Sequence, residues 1–588
     1  MKRLTGKIKV FTLILSIIIL FISCNKEDTN VIEQGFTVSK SEITIGLNKT
    51  QQVFASVYPY EGEEEVKWSS SNPDIASIEA GETHHGISTG KITGLSVGEA
   101  TITVESVVNA AKKGFIKVQV VNDNFISSDL AIYPVPDGTP QSSTPVFSVT
   151  ANQYPVGVFT EDTPWTGKAN FAYFNLRDGY NVEVKITPTF SYSKVTVLPE
   201  SLGITPTKNG SQLAFTVNRP NTNITLVFDD NYFGNTLHLF TNPIDNNAPT
   251  ESDTYMIYFG PGYHDLQQAA GEEFLVGYRK SVYLAPGAVV NGRIRFESAT
   301  NVSIRGSGVL MNSKPKSGGD LTLAFAWCRN VTIEGIILSA QKEWNFNVGV
   351  HESRDVNIRN LKVVSPQYAS TDGINMTSCR DVTVQDCFIR VADDCLPVNG
   401  SVPNVGVSNI LVENCILWND AAGAMTIGAV TKATYFKDIT YRNIDVLFSH
   451  DDRENHNKLT DRGLINITCL DGTFVENITY ENIRVNNSYN QLIALSFKDD
   501  FYYGSIYGDQ TRPGGMNNIV FRNITVNTTN NDPITNVIWL EGYTAKPDKP
   551  AKPIENVRFE NVVVNGYPVT ANYGKLKVQG PVSGLVFQ

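Results

Sequence analysis

The chain has 588 residues, a formal net charge of −11 and a pI near 5.3. An acidic chain lacks the basic face that phosphate backbones require, which argues against nucleic acid as a partner. The length exceeds what a single hydrophobic core supports, so several domains are expected. Seven cysteines in a chain of this size do not make a disulfide scaffold.

The N-terminus has the features of an export signal. Basic residues precede an apolar run over residues 10–22, which is shorter than the roughly 20 residues that span a bilayer. The run ends in Ile22-Ser23-Cys24, which resembles a lipobox, and Asn25-Lys26-Glu27-Asp28 resembles a surface-export signal. These resemblances imply a lipoprotein signal peptide over 1–23, a lipid anchor at Cys24 and a tether over 24–35. The expected location is the outer membrane, exposed at the cell surface.

Residues 36–121 and 122–250 both alternate short apolar runs with Gly and Pro, which predicts two β-sandwich domains. Within the first, Val66-Lys67-Trp68-Ser69-Ser70-Ser71-Asn72-Pro73 and Gly90-Lys91-Ile92-Thr93-Gly94-Leu95 resemble a bacterial immunoglobulin-like domain of group 2. That resemblance implies a spacer or a weak glycan-binding module, and the spacer is favoured. The second region shows no concentrated chemistry and is expected to pack against the domain that follows.

An internal repeat predicts the fold of residues 251–588. Nine segments share a template of Asn or Asp, Val or Ile, any residue, and an apolar or aromatic residue. The segments begin at Asn301, Asn330, Asp355, Asp381, Asn409, Asp438, Asn477, Asn518 and Asn556. Successive copies are 25–29 residues apart at first and 38–41 apart in the last three intervals. This period with alternating apolar residues predicts a parallel β-helix whose longer coils carry loops.

The predicted fold class is therefore all-β, a right-handed parallel β-helix preceded by two β-sandwich domains. Cys387 and Cys415 occupy the same template position on adjacent coils and should stack. Free thiols are favoured there over a disulfide, because stacked parallel strands are poor bridging geometry. No Cys and His spacing indicates a metal site, and no cofactor is expected.

Three acidic residues follow neighbouring strands of the predicted β-helix. Asp372 stands in Thr371-Asp372-Gly373, and Asp393 and Asp394 stand about 20 residues later, one coil on. Adjacent coils are about 5 Å apart, so the three carboxyls should meet. Repulsion among them should raise at least one pKa and leave one protonated acid beside ionised bases, as glycoside hydrolysis requires. Aspartates that merely end strands are the competing interpretation.

This pattern resembles the clan of polygalacturonases and dextranases, which are parallel β-helices with an inverting mechanism. The resemblance covers roughly 255–570 and includes Tyr283-Leu284-Ala285-Pro286-Gly287-Ala288-Val289-Val290-Asn291-Gly292, which looks like an entry strand of the clan. It implies that Asp393 is the general acid. It also implies that Asp372 and Asp394 hold and deprotonate the attacking water.

The sequence departs from polygalacturonases at the positions that bind a uronate. Ser370 and Asn375 stand where those enzymes have Asn and Asp, and Ala422-Gly423-Ala424 replaces Gly-His-Gly. Their Arg-Ile-Lys has no clear counterpart, although Arg462 lies nearby. Losing a charge-assisted partner removes much of the binding energy of a carboxylate. A neutral or weakly charged α-glycan is therefore expected rather than galacturonan.

Five further residues are candidates for lining the sugar cleft together with Arg462. They are Trp344, Asn345, Asn347, Tyr368 and Trp418. Sugars stack on flat apolar rings, although a tryptophan at the edge of a coil is as often part of the core.

The sequence as a whole predicts a surface-anchored inverting glycoside hydrolase that cleaves an α-linked polysaccharide. Its partners would be the glycan and, through Cys24, the membrane. A non-catalytic glycan-binding or adhesive β-helix is one alternative, motivated by the missing His and Arg-Lys. A polysaccharide lyase is the other, although no basic residue is evident beside the acids.

Overall fold

The computed structural model describes residues 35–588 except 40, 47–49, 59–64, 85–86, 97, 122–124, 267–272, 314–319, 341–344, 368–369, 452–461, 503 and 505. Cys24 and the predicted signal lie outside the described residues. Strands make up nearly all of the regular structure, with one short 3-10 helix at Glu200–Leu202 among the described residues. No helix in this part of the chain is long and apolar enough to cross a membrane. The predicted all-β class is confirmed.

The N-terminal domain consists of two four-stranded sheets that enclose a small core containing Trp68. The strands are Gly35–Val38, Glu42–Gly46, Thr50–Tyr58, Val66–Ser70, Ala76–His84, Ile87–Gly94, Gly98–Ser106 and Lys113–Val121. This domain lies against the first coil of the next sheet system, where the Phe54 and Phe259 rings are 6.0 Å apart. Gln51 Nε2 also donates to the Tyr263 carbonyl at 3.1 Å.

A second β-sandwich follows, with a seven-stranded and a five-stranded sheet around their own apolar core. The seven-stranded sheet contains Phe125–Ile126, Leu130–Ile132, Val158–Asp162, Lys168–Leu176, Val195–Leu198, Asn223–Phe228 and Thr236–Pro243. The five-stranded sheet contains Phe147–Ala151, Tyr154–Val156, Val182–Pro188, Thr207–Asn209 and Gln212–Val217. Below, "the sandwich" means this second domain.

The rest of the chain is a parallel β-helix built from one sheet of 21 strands and one of 11. The larger sheet contains Met256–Phe259, Gly262–Asp265, Ser281–Leu284, Ala288–Asn291, Thr300–Gly306, Val309–Asn312, Arg329–Glu334, Ile337–Ala340, Arg354–Arg359, Lys362–Ser365, Arg380–Gln385, Phe388–Val391, Val407–Glu413, Ile416–Asn419, Tyr435–Ser449, Phe474–Val485, Gly515–Val526, Ile554–Val564, Tyr567–Pro568, Val582–Ser583 and Val586–Phe587. The eleven-stranded sheet contains Phe274–Leu275, Ile294–Glu297, Asp320–Ala326, Asn345–His351, Ile374–Thr377, Leu396–Gly400, Met425–Thr431, Ile465–Cys469, Ile493–Phe497, Ile538–Glu541 and Leu576–Gln579.

The Asn or Asp that opens each copy of the sequence template has a structural role at a bend of the coil. All nine have a left-handed backbone, with φ between 53° and 58°. Asn and Asp tolerate this conformation better than other residues with a Cβ. Their side chains also bond along the axis, for example from Asn409 Nδ2 to Asp381 Oδ1 at 2.9 Å. The repeat therefore encodes where each coil turns.

The fourth template residue points into the β-helix and stacks on its counterpart in the next coil. In the last coils this residue is aromatic, and the rings of Tyr441, Tyr480, Phe521 and Phe559 lie 5.1–5.3 Å apart in stacked pairs. Cys387 and Cys415 are also buried here, and both thiols are free, as predicted.

The sandwich covers one outer face of the β-helix. Its seven-stranded sheet contributes Phe159, Phe171 and Phe240 to a shared apolar layer, which meets outward-facing residues of successive coils. The coil residues in this layer include Val289, Val309, Ile337, Val364, Phe388, Trp418 and Phe448. The eleven-stranded sheet takes no part in this layer, so its outer face is where a substrate cleft can lie.

Candidate active site

The three predicted acids lie where two neighbouring coils enter the eleven-stranded sheet. Asp372 precedes the strand Ile374–Thr377, and Asp393 and Asp394 precede Leu396–Gly400. Backbone pairing extends into these turns, since Gly373 N donates to the Asp394 carbonyl at 2.9 Å. Asp372 and Asp394 therefore face each other on adjacent rungs, which are about 5 Å apart. The structure brings the three residues together.

Asp393 is partly buried, and backbone N–H groups hold its carboxylate. Its Oδ2 accepts from Ser370 N at 2.7 Å, and its Oδ1 accepts from Asp394 N at 2.9 Å. These two hydrogen bonds fix the orientation of the Asp393 carboxyl group beside Asp394.

Asp372 is buried and lies close to both other acids. Burial raises the pKa of Asp372 well above its usual value, and the charges of Asp393 and Asp394 raise it further. Asn375 Nδ2 donates to Asp372 Oδ2 at 2.8 Å and partly offsets this shift. The asparagine that distinguishes this sequence from polygalacturonases therefore contacts the acid cluster directly.

Asp394 is the third member and also carries a raised pKa. Burial, followed by the charge of Asp393, raises the pKa of Asp394 to about 7. Arg462 and the Gly423 N–H, which donates to Asp394 Oδ1 at 2.9 Å, act in the opposite direction. Since the carboxyls interact, they titrate as a set and retain a proton near neutral pH. The cluster can thus supply both an acid and a base.

Next to Asp394 the floor of the site is polar and closely packed. Thr426 Oγ1 donates to Asn466 Oδ1 at 3.1 Å, and both residues are buried. A Cβ on Gly423 would lie 2.7 Å from Thr426 Oγ1, 2.8 Å from Asn466 Oδ1 and 2.9 Å from Asp394 Oδ1. The glycine at the position of the missing histidine therefore leaves room for this arrangement.

Arg462 lies beside the cluster, and its guanidinium already has partners. Nη1 donates to Asp451 Oδ1 at 3.3 Å and to the Tyr502 hydroxyl at 2.7 Å, and the guanidinium lies 5.0 Å from the Tyr502 ring centre. Asp451 and Tyr502 were not predicted from the sequence. Both belong to loops of the long coils, whose position the repeat does not specify.

The structure contradicts the prediction that Trp418 lines the sugar cleft. Trp418 is fully buried between the β-helix and the sandwich, and its Nε1 donates to Asp420 Oδ1 at 3.1 Å. The reason is that this outward-facing position is covered by another domain. Trp344 and Tyr368 lie outside the described residues. Asn345 begins the strand Asn345–His351, one coil before Asp372. The prediction that Asn347 lines the cleft is wrong, because Asn347 is fully buried and its Nδ2 donates to the Asp372 carbonyl at 3.0 Å.

Sequence reasoning missed Asn419, which supports the turn that carries the acids. Its Nδ2 donates to the Asp393 carbonyl at 2.6 Å, and its Oδ1 accepts from Ala422 N at 3.1 Å. An asparagine at the end of a strand gives no signal that separates this role from an ordinary turn.

Within the described ranges, no group of three or more His, Cys, Asp and Glu side chains could hold a metal ion.

Comparison with known proteins supports a glycoside hydrolase. The chain is 27% identical over 214 residues to an exopolygalacturonase of Arabidopsis thaliana, which covers 36% of this chain and 45% of the relative. It is 23% identical over 285 residues to a dextranase of Arthrobacter sp. (strain CB-8), which covers 41% of each. The chain thus spans less than half the length of these curated relatives.

Among solved structures, the family 28 exopolygalacturonase of Yersinia enterocolitica is similar at 12% identity and a TM-score of 0.39. That match covers 72% of this chain and 98% of the other. Residues 34–124 match the family described as bacterial Ig-like domain (group 2). The β-helix, over residues 286–577, matches glycosyl hydrolases family 28.

Proposed function

We propose that the protein is an inverting glycoside hydrolase that cleaves a neutral or weakly charged α-linked polysaccharide. The observation that carries this proposal is the cluster of Asp372, Asp393 and Asp394, two of which have raised pKa values while backbone N–H groups fix the orientation of the third. Inverting hydrolysis needs one protonated acid and one base with a water between them. The match to glycosyl hydrolases family 28 and to dextranases is consistent with this chemistry.

In this proposal Asp393 protonates the leaving oxygen, and Asp372 and Asp394 hold and deprotonate the water. The raised pKa values of Asp372 and Asp394 leave the cluster holding a proton near neutral pH. In the reaction a proton on Asp393 would pass to the leaving oxygen, and an ionised Asp372 or Asp394 would take the proton that the attacking water releases.

A neutral substrate is supported by the surroundings of Asp394. Arg462 is the basic side chain that acts on Asp394, and it already donates to Asp451 and Tyr502. A uronate carboxylate would have to compete with those partners. In the resemblance to polygalacturonases, Gly423 stands at the position of a histidine and offers no side chain there. These features favour neutral sugars over galacturonan.

The test is incubation with dextran, galactans and pectins, followed by measurement of released reducing sugars and the anomer of the first product. We expect cleavage of a neutral glycan with inversion. Asp393→Asn should fold and lose on the order of 10²–10⁴-fold in rate, the usual contribution of general acid catalysis. Wild-type turnover in Asp393→Asn would remove the acid assignment. Unsaturated products that absorb ultraviolet light would indicate a lyase, and binding without any product would indicate an adhesive protein.

We further propose that Cys24 is lipidated and anchors the protein at the outer surface of the cell. The support is the sequence of the N-terminus alone. Buried methylenes of the acyl chains supply about 0.8 kcal/mol each, so an anchor of this kind needs no spanning helix. Replacement of Cys24 by Ser should shift the expressed protein from the detergent phase to the aqueous phase. Unchanged partitioning would contradict the anchor.

A further inference from the structure

An ion pair is buried under the sandwich, beside the turn that carries the acids. Arg390 Nε donates to Asp420 Oδ2 at 3.1 Å and Arg390 Nη2 donates to Asp420 Oδ1 at 3.4 Å, and neither side chain is exposed. The guanidinium also lies 4.3 Å from the centre of the Trp418 ring. Arg390 is three residues before Asp393 and Asp420 is three residues before Gly423. The pair therefore joins the strands that lead into the two turns around the acids.

The sandwich completes the hydrogen bonds of Arg390. Arg390 Nη1 donates to Thr236 Oγ1 at 2.5 Å and to His238 Nε2 at 3.1 Å. Because a guanidinium only donates, His238 Nε2 must accept and Nδ1 must carry the proton. Nδ1 lies 2.9 Å from Thr225 Oγ1, which can accept that proton. Burial and Arg390 lower the pKa of His238 well below its usual value, so the ring is neutral.

The same turn connects the ion pair to the acids. Asn419, the chain neighbour of Asp420, donates to the Asp393 carbonyl at 2.6 Å. Four residues further on, Gly423 N donates to Asp394 Oδ1 at 2.9 Å. Asp420 N is itself fixed to the Val391 carbonyl at 2.9 Å. The hydrogen bonds of Arg390 and the backbone over 419–423 thus connect the sandwich to two of the three acids.

A buried ion pair is a poor device for stability alone, since apolar residues of similar size are often as good or better. It does define geometry, because a charge left without its partner is costly. Geometry matters here, since a displacement of about 1 Å at a catalytic group can cost about 10²-fold in rate. We propose that the sandwich is a positioning element for catalysis, in which His238 and Thr236 fix Arg390, and Arg390 fixes Asp420 and the turn over 419–423 against Asp393 and Asp394.

This inference rests on the proposed hydrolase function, and His238 variants test it in the full chain. His238→Leu removes one acceptor of Arg390, and we expect kcat to fall about 10-fold to 100-fold. KM should stay within about twofold, because His238 is fully buried and cannot contact a glycan. The conservative His238→Gln keeps an acceptor oxygen and should recover most of kcat. Asn175→Ala is the matched control. Asn175 Nδ2 donates to Ser307 Oγ at 2.9 Å across the same interface, but several coils from the acids.

A second measurement separates positioning from general loosening of the interface. The Gly423 N–H stabilises ionised Asp394, so a displaced turn should move the Asp394 titration to higher pH. The charged groups facing Asp394 are Asp372, Asp393 and Arg462, and none of these is altered. Thermal stability decreases as the pH rises through the Asp394 titration. This decrease should therefore extend to higher pH in His238→Leu and stay at the wild-type pH in Asn175→Ala. This measurement needs no substrate, so it remains valid if the wild type cleaves no glycan and the proposed function fails.

An unchanged kcat and an unchanged titration in folded His238→Leu would overturn the inference. An equal loss of kcat in Asn175→Ala would also overturn it, since any weakening of the interface would then suffice. If His238→Leu does not fold, Thr236→Val takes its place in the same two measurements, because it removes one acceptor of Arg390 at nearly constant volume.

Discussion

Two buried acidic sites lie within one coil of each other, and they differ in pairing rather than in burial. Asp420 is fully buried under the sandwich and accepts two hydrogen bonds from Arg390. Asp372 is also buried, but its charged neighbours are Asp393 and Asp394, and its pKa is raised well above the usual value. The comparison teaches that the partner decides whether a buried carboxyl in this fold supports structure or retains a proton for chemistry.

The two sites share one coil, which carries Arg390 and, three residues later, Asp393. Arg390 and Trp418 pair across adjacent strands and face the sandwich, whereas Asp393 lies just beyond the bend that leads into the other sheet. One coil therefore carries a closely packed residue of the ion pair and, a few residues later, the turn where the acids meet. Packing of the Arg390–Asp420 pair can hold that turn in place although the acids repel one another.

The largest expected effect comes from breaking the paired site. Asp420→Asn leaves Arg390 buried without a counter-ion, and removing one partner of such a pair costs about 3–5 kcal/mol. The midpoint of thermal or urea unfolding should fall accordingly at pH 7. Asp372→Asn is the matched control, because it removes another buried acid, one whose charged neighbours are acids, and it should be neutral or stabilising. Similar destabilisation in both variants would show that pairing does not distinguish the two sites.

A somewhat smaller effect should appear in the pH dependence of stability. The pKa of Asp394 rises from 3.8 to about 7 on folding, so folding favours its protonated form. The stability that this group contributes is fully present below about pH 4 and is lost as the pH rises through about 7. Asp394→Asn cannot ionise, so it should match the wild type at pH 4 and be more stable at pH 8. The shift corresponds to at most about 4 kcal/mol, and less here because Asp394 is partly solvated.

Asp230→Asn provides the contrast for that experiment. Lys194 holds the pKa of the exposed Asp230 below its usual value through a hydrogen bond and its charge. Stability from this pair is present above the unfolded pKa and is lost as the pH falls. Asp230→Asn should therefore lose a little stability at pH 8 and none at low pH, opposite in sign to Asp394→Asn. Parallel pH profiles in the two variants would contradict the assignment of the raised pKa to Asp394.

The acid cluster could be predicted from the sequence, because the positions of its residues follow from the repeat. Asp372 and Asp394 stand nearly one coil apart, and a parallel β-helix places such residues on adjacent rungs. The template residues Asn409 and Asp381 have a left-handed backbone in the structure, a conformation that Asn and Asp tolerate. These features depend only on local conformation and on the neighbouring coil.

The features that the sequence did not predict depend on contacts between distant parts of the chain. Strand alternation shows that Trp418 faces outward, but it carries no information on which outward face the sandwich covers. For the same reason Arg390 and Asp420 gave no signal, since their partners Thr236 and His238 lie more than 150 residues away. Loop residues such as Tyr502 were also missed, because insertions are not constrained by the repeat.

The smallest effect should come from adding one methyl group beside the unpaired acids. A Cβ on Gly423 would lie within 3.0 Å of Asp394 Oδ1, Thr426 Oγ1 and Asn466 Oδ1, whereas on Gly463, one coil later, its nearest neighbour would be 3.2 Å away. Gly423→Ala must therefore displace the groups packed around this glycine, the Asp394 carboxyl among them, and about a tenfold loss of kcat is expected. Gly463→Ala should keep kcat within about twofold, since the nearest atoms belong to Ile465 and Ala494 and not to the acids. Equal kcat values in the two variants would mean that the position of Asp394 is not critical, and the contrast between the paired and unpaired sites would then concern stability alone.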